Sequence, residues 1–418
     1  MTDLKVFKSS FNGNVTIPSS KSVAHRMIIA SVLSGACSTV IGNLNSKDIK
    51  ATLGCMEALG AKVNYTKDGA IIDATKLMGE ANTFDVNESG STLRFLLPVI
   101  PIYRSNFSIK GAGRIGERPI KSLKTAMEAC GVKVSGDYIP VTVEGSYDKC
   151  DFTVNATESS QYVTGLLYTI AKLGGGKLKI EGTLTSKGYI DITTGVLKAY
   201  GVAVDYSESE KTFTISAPNG FVAPKVVNVN GDWSSACFWA VAGVLSGDIA
   251  IKGLNYPDSQ PDSIIVDVLK KAGGNVSFKE GVLYAKKSTL KAIEFDADGS
   301  PDIVPILAVA LSQANGDSLI TGTARLKIKE SDRVKAVADM LSAVGIKTEI
   351  GENHMKIYGG ATLHGGVIDS VNDHRIAMSG MILGSLIDEV TTILGTECTA
   401  KSYPDFVKDY LNLGGKIV

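Results

Sequence analysis

The chain has 418 residues, too many for one hydrophobic core and enough for two or three domains. Its 43 Lys+Arg and 43 Asp+Glu cancel, so composition supports neither a nucleic-acid nor a membrane-surface role. No stretch reaches the roughly 18 apolar residues of a membrane span, no signal-like run follows Met1, and six scattered cysteines and four histidines make no metal or disulfide pattern; a cytoplasmic protein without metal or organic cofactor is expected.

Along the chain, Leu4–Ile17 reads as strands, and then one unit recurs six times. Its first register is a strand end, aliphatic-x-Gly, with glycines at 42, 111, 182, 253, 322 and 395, spaced 69, 71, 71, 69 and 73 apart. Its second is a helix-ending glycine followed three residues later by an aliphatic or Thr: Gly60, Gly131, Gly201, Gly273, Gly345 and Gly414, spaced 71, 70, 72, 72 and 69. Two registers in step over 350 residues mean one copied supersecondary unit. Each unit opens with an apolar helix: Val23–Leu33, Thr92–Ile102, Tyr162–Leu173, Ser235–Leu245, Ile303–Gln313 and Ile376–Leu386. A strand and glycine turn follow, then an amphipathic helix such as Val334, Val337, Ala338, Leu341, Val344, a glycine C-cap and a hairpin. A helix apolar all round belongs inside and a helix with one wet face beside it, so helices inside and sheets outside are expected: an inside-out α/β barrel of βαβαββ units.

Six units divide into three and three. The sixth stops at Val418 without its second hairpin strand, and the N-terminal strands offer the repair. The expected domains are 1–17 plus 229–418, discontinuous, around an inserted 18–228, with the active site in the cleft between them.

The amphipathic helices are read as starting at Glu117-Arg118-Pro119, Ser186-Lys187-Gly188-Tyr189, Lys329-Glu330-Ser331-Asp332-Arg333 and Lys401-Ser402-Tyr403-Pro404. The apolar helices are preceded by Ser20-Lys21-Ser22 with Arg26, Ser89-Gly90-Ser91 with Arg94, Ser159-Ser160-Gln161, and Asn372-Asp373-His374-Arg375. Taken singly, each has a structural reading: an N-cap at Ser20–Ser22, Ser159-Ser160 or Asp373, a capping box with an ion pair at Glu330–Arg333. Gly111–Gly116 and Gly174–Gly176 read as turns, not as dinucleotide loops. Together, at equivalent ends of repeated units, the motifs point helix N-termini and Lys21, Arg26, Arg118, Arg333, Arg375 and Lys401 at anionic substrates.

These motifs, with Ser186-Lys-Gly-Tyr189-Ile-Asp191, Pro301-Asp302 and Thr399-Ala-Lys401-x-x-Pro-Asp405, resemble the 5-enolpyruvylshikimate-3-phosphate (EPSP) synthase family over essentially the whole chain. The resemblance implies transfer of the enolpyruvyl group of phosphoenolpyruvate to the 5-hydroxyl of shikimate-3-phosphate, in the shikimate route to chorismate and aromatic amino acids, by a cytoplasmic monomer that is a glyphosate target. It implies Asp302 as base and Lys21 and Glu330 as proton-transfer groups. Arg118 and Lys401, with Gly90 N–H and Gln161 nearby, would hold the phosphoenolpyruvate phosphate, and Arg333 and Arg375 its carboxylate. Ser22, Arg26, Ser159, Ser160, Ser186 and Lys329 would hold shikimate-3-phosphate, with Gln161 and Tyr189 against its ring. Glu88-Ser89-Gly90-Ser91, Arg325 and Lys327 depart from the usual family pattern. The alternative is the sister transferase that uses UDP-N-acetylglucosamine; it typically carries a reactive loop cysteine, whereas Cys130 here reads as core.

Overall fold

The computed structural model describes residues 3–418. The chain divides into two compact units, residues 1–20 with 230–418, and residues 21–229, so the first crossing falls three residues and the second one residue C-terminal to the expected boundary. Each unit has its own hydrophobic core.

Among the described residues the strands form six four-stranded sheets, and every complete repeat builds its sheet alike. In the second repeat the helix Gly90–Leu96 carries the chain from Thr83–Asp85 to a parallel neighbour, Asn106–Lys110; the hairpin Val132–Val134 and Val141–Gly145 then adds antiparallel, its later strand next to Asn106–Lys110. Three sheets take a strand from outside their repeat. Val226–Asn228 supplies the parallel edge of the first, on Cys37–Ile41. Leu4–Phe7 lies between Thr391–Leu394 and Lys416–Ile417, antiparallel to both, in the place the truncated sixth hairpin leaves open. Asn12–Thr16 then pairs parallel with Asp248–Lys252.

The strands alternate: in Asn106–Lys110 only Phe107 and Ile109 are buried, so each sheet turns one face to the helices. All nine residues of the helix Val304–Ser312 are buried, and it packs with Trp233–Ser246 and His374–Gly384 as a central trio. By contrast Lys47–Leu59 buries the stripe Ile49, Thr52, Leu53, Met56, Leu59. The mixed α/β layering inferred from sequence is the one observed.

Three local readings change. The expected helix Thr92–Ile102 breaks into Gly90–Leu96 and a 3₁₀ turn, Ile100–Ile102, because Pro98 and Pro101 bring no N–H to the ladder. Glu117, Lys329 and Lys401 do not open α-helices: Gly113–Glu117, Ala324–Ile328 and Thr396–Lys401 form 3₁₀ segments at or just before them, and the α-helices start later, at Lys121, Arg333 and Phe406. At the first of these Arg118 N–H closes on Ile115 C=O, and Pro119 cannot continue the pattern. Gly175 and Gly176 begin the strand Gly175–Glu181 instead of a turn; a Cβ on Gly176 would stand 2.4 Å from Cys150 O, which only glycine tolerates.

Candidate active site

In the 21–229 unit, the first cluster gathers at the starts of three helices. Ser89 Oγ caps Gly90–Leu96 by accepting from Thr92 N–H at 3.2 Å. Gly90 follows, and a methyl there would come within 2.6 Å of Arg118 Nη1 and 3.0 Å of Arg94 Nη1. The two guanidinium groups thus lie against bare backbone at a helix N-terminus, a geometry suited to an oxyanion. Arg94 Nη1 donates to Gln161 Oε1 at 2.9 Å, and Gln161 Nε2 donates to Ser91 Oγ at 3.0 Å, so Gln161 bridges two helices. Ser159 Oγ accepts from Gln161 N–H at 3.2 Å, and Ser160 is the buried first residue of that helix. The capping reading of Ser159 is correct as local structure.

Nearby, Lys21 Nζ pairs with Asp48 at 2.9 Å, both side chains mostly buried. Arg26 is buried, and burial draws its guanidinium down to about 10. It donates to Thr193 Oγ1 at 2.7 Å, Ser22 C=O at 2.7 Å, Thr164 Oγ1 at 3.3 Å and Tyr189 C=O at 3.0 Å, and lies over the Phe95 ring. Those partners sit on three helices, so Arg26 ties the helix starts together in addition to any ligand role. Ser186 takes a left-handed backbone (φ 49°) before the helix Lys187–Ala199, and its carbonyl accepts from Tyr189 N–H.

The other unit carries the second cluster. Asp302, in the 3₁₀ turn Pro301–Ile303, receives Arg333 Nη1 at 2.8 Å and Arg375 Nη2 at 3.0 Å, with Lys329 Nζ at 3.5 Å. Arg333 is 1% exposed. Its Nε donates to Asp373 at 2.8 Å and its Nη2 to Glu330 at 2.7 Å. Burial opposes that charge, but Asp373, Glu330 and Asp302 hold the guanidinium well above its ordinary range. Asp373 also accepts from Ser331 Oγ at 3.0 Å and caps its own helix through Arg375 N–H at 2.9 Å. Lys401 Nζ donates to Asn372 C=O at 2.7 Å, and Asn372 is held left-handed, φ 57°. His374 is buried, its Nδ1 3.9 Å from Asp373 Oδ1.

Every candidate from the sequence therefore falls in one of two clusters: Lys21, Ser22, Arg26, Gly90, Arg118, Ser159, Ser160, Gln161, Ser186 and Tyr189 in one unit, and Asp302, Lys329, Glu330, Arg333, Arg375 and Lys401 in the other. Sequence reasoning gave no role to Arg94 or Asp48 and read Asp373 only as an N-cap. Arg94 and Asp373 stood inside quoted motifs and were open to assignment. Asp48 lies 27 residues from Lys21 and only the fold pairs them.

The family model for EPSP synthase (3-phosphoshikimate 1-carboxyvinyltransferase) matches residues 7–410. The chain belongs to the EPSP synthase family. A protein named 3-phosphoshikimate 1-carboxyvinyltransferase from Clostridium novyi is 38% identical over 430 residues, covering 100% of this chain and 98% of the relative. One of the same name from Clostridium acetobutylicum is 37% identical over 425 residues, with coverage of 100% and 98%. The structure of EPSP synthase from Acinetobacter baumannii superposes with a TM-score of 0.81 at 25% identity, covering both chains fully. Among the described residues no helix is long and apolar enough to cross a membrane.

Proposed function

We propose that this chain joins phosphoenolpyruvate to the 5-hydroxyl of shikimate-3-phosphate, releasing phosphate. The observation that carries the mechanism is Asp302: a carboxylate held by Arg333, Arg375 and Lys329, hence a base set among cations that bind anions. Asp302 takes the 5-hydroxyl proton, and the oxygen attacks C2 of the enol. C3 receives a proton from Glu330 or Lys21, giving a tetrahedral intermediate. Loss of phosphate from C2, with return of a C3 proton to the protein, leaves the enol ether. Arg118 with Arg94 behind it, and Lys401, serve the departing phosphate; Arg375 and Arg333 serve the carboxylate; Arg26, Ser22, Ser159, Ser160, Ser186, Tyr189 and Lys329 serve the shikimate ring and its phosphate. The protein works as a monomer on these small molecules, with no nucleic-acid or membrane partner.

The alternative acceptor, UDP-N-acetylglucosamine, lacks support: family and relatives point to the shikimate substrate, and Cys130 is buried with its thiol pushed up by burial, unlike a reactive cysteine. Thermal shift separates them. Shikimate-3-phosphate should raise Tm and UDP-N-acetylglucosamine should not; the reverse pattern would overturn the assignment.

A further inference from the structure

The 3₁₀ turn Pro261–Ile264 opens the amphipathic helix of the fourth repeat, the place where the fifth and sixth repeats carry Lys329 and Lys401. Its Asp262 is 2% exposed, and the mechanism above does not use it. The turn is fixed on both sides. Gln260 Nε2 donates to Gly231 C=O at 2.9 Å while its Oε1 accepts from Trp233 N–H at 3.2 Å. Ser300 Oγ donates to Pro261 C=O at 2.9 Å, tying this turn to the turn that carries Asp302. Ser234 Oγ donates to the Asp262 carboxylate, and Cys237 Sγ to its carbonyl at 3.6 Å.

The charged groups facing Asp262 are Asp302 on the Pro301–Ile303 turn, Arg375 on the helix His374–Gly384 and Asp232 at the cap of Trp233–Ser246. Burial first, then Asp302, push the Asp262 carboxyl up to about 6, with Arg375 and Ser234 pulling the other way. Asp302, meanwhile, is gripped by Lys329, Arg333 and Arg375, and each of those cations favours the ionised form and makes a poorer proton acceptor.

We propose that Asp262 is a positioning residue for the reaction: a second buried carboxylate, tied through Ser300 to the Asp302 turn and beside Arg375, which offsets the cations on Asp302 and keeps it basic enough to accept the hydroxyl proton. The inference rests on Asp302 being the base. Asp262→Asn keeps shape and an acceptor for Ser234 but removes the charge. Its kcat should fall, and the acid limb of its kcat/KM profile for phosphoenolpyruvate should move to lower pH by about half a unit or more, with shikimate-3-phosphate still raising Tm. Asp262→Glu should return part of the rate. A limb that stays in place, even with a uniformly lower rate, means a structural role only and overturns the proposal. Ser234→Ala, which makes Asp262 easier to protonate, should shift the limb the same way and serves if Asp262→Asn does not fold. Carboxyl ¹³C titration in labelled protein needs no turnover: the Asp262 midpoint should drop by about half a unit or more in Asp302→Asn. An unchanged midpoint overturns the proposal independently, whereas a wild-type enzyme without shikimate-3-phosphate-dependent phosphate release overturns the functional reading instead.

Discussion

Lys329 shows how a single residue sets a pH limit. Burial, aided by Arg333 and Arg325 and opposed by Asp302, brings its ammonium down to about 8. It is charged below that pH and neutral above it, so shikimate-3-phosphate affinity should weaken as pH rises through 8, and Lys329→Arg should abolish that weakening. Calorimetric titrations between about pH 7 and 9 check this; parallel curves for both proteins would count against it. Asp302→Asn should retain shikimate-3-phosphate binding and lose roughly 10²-fold or more in kcat, as expected for a general base. A near-normal kcat would remove Asp302 from the catalytic set. His25, fully buried, donates to or accepts from Thr52 Oγ1 at 2.7 Å, and burial, then Lys21 and Arg26, holds its imidazole well below the ordinary 6.5. Its folded form is neutral while its unfolded form charges below 6.5, so folding loses stability as pH falls through that value. His25→Gln should therefore lose less Tm between pH 7 and 5 than the wild type, and equal losses would exclude the effect. Much of the candidate site was legible at this scale, because charged residues recurred at equivalent positions. What was not legible was long-range pairing: the sequence offers Arg333 an ion pair within Glu330–Arg333, yet the fold also encloses it with Asp302 and Asp373. Arg333→Ala should accordingly destabilise the fold by about 3–5 kcal/mol, by stranding those carboxylates, besides weakening phosphoenolpyruvate binding.

Among elements, the helix-ending glycines were the clearest signal. All six, Gly60, Gly131, Gly201, Gly273, Gly345 and Gly414, have φ between 79° and 109°, where an L side chain is strained. The strain is common to them but the surroundings are not. A Cβ on Gly201 meets Val222 at 3.4 Å, whereas one on Gly60 would lie 2.3 Å from Gly79 N. Gly201→Ala should cost about 1 kcal/mol, and Gly60→Ala distinctly more, because backbone must move. Equal losses in denaturant unfolding would refute the distinction. Gly90 acts differently: its helix start needs no special backbone, but a methyl would displace Arg118. Gly90→Ala should raise the Ki of glyphosate more than the KM of phosphoenolpyruvate, since the longer ligand needs more of that space; equal changes would defeat the steric account. The 3₁₀ segments before the amphipathic helices escaped sequence reading because i→i+3 and i→i+4 closure share one periodic pattern over a single turn. Only Pro119 and Pro404 hinted at the late helix starts.

At the scale of the whole molecule, the repeat explains both its regularity and its one interruption. The N-terminal strand Leu4–Phe7 holds Lys416–Ile417 in the sixth sheet, so the two ends of the chain share one element. That pairing was inferable, since one hairpin strand was missing and the strand-like Leu4–Ile17 was unassigned, but the exact crossings, at Ser20 and Asn230, were not. The account's central claim concerns chemistry. It is tested most directly by inorganic phosphate released from phosphoenolpyruvate by the purified protein, measured alone, with shikimate-3-phosphate and with UDP-N-acetylglucosamine. The account predicts release only with shikimate-3-phosphate, one phosphate per enol ether formed. Release that depends on the nucleotide sugar, or none with either acceptor, would contradict it.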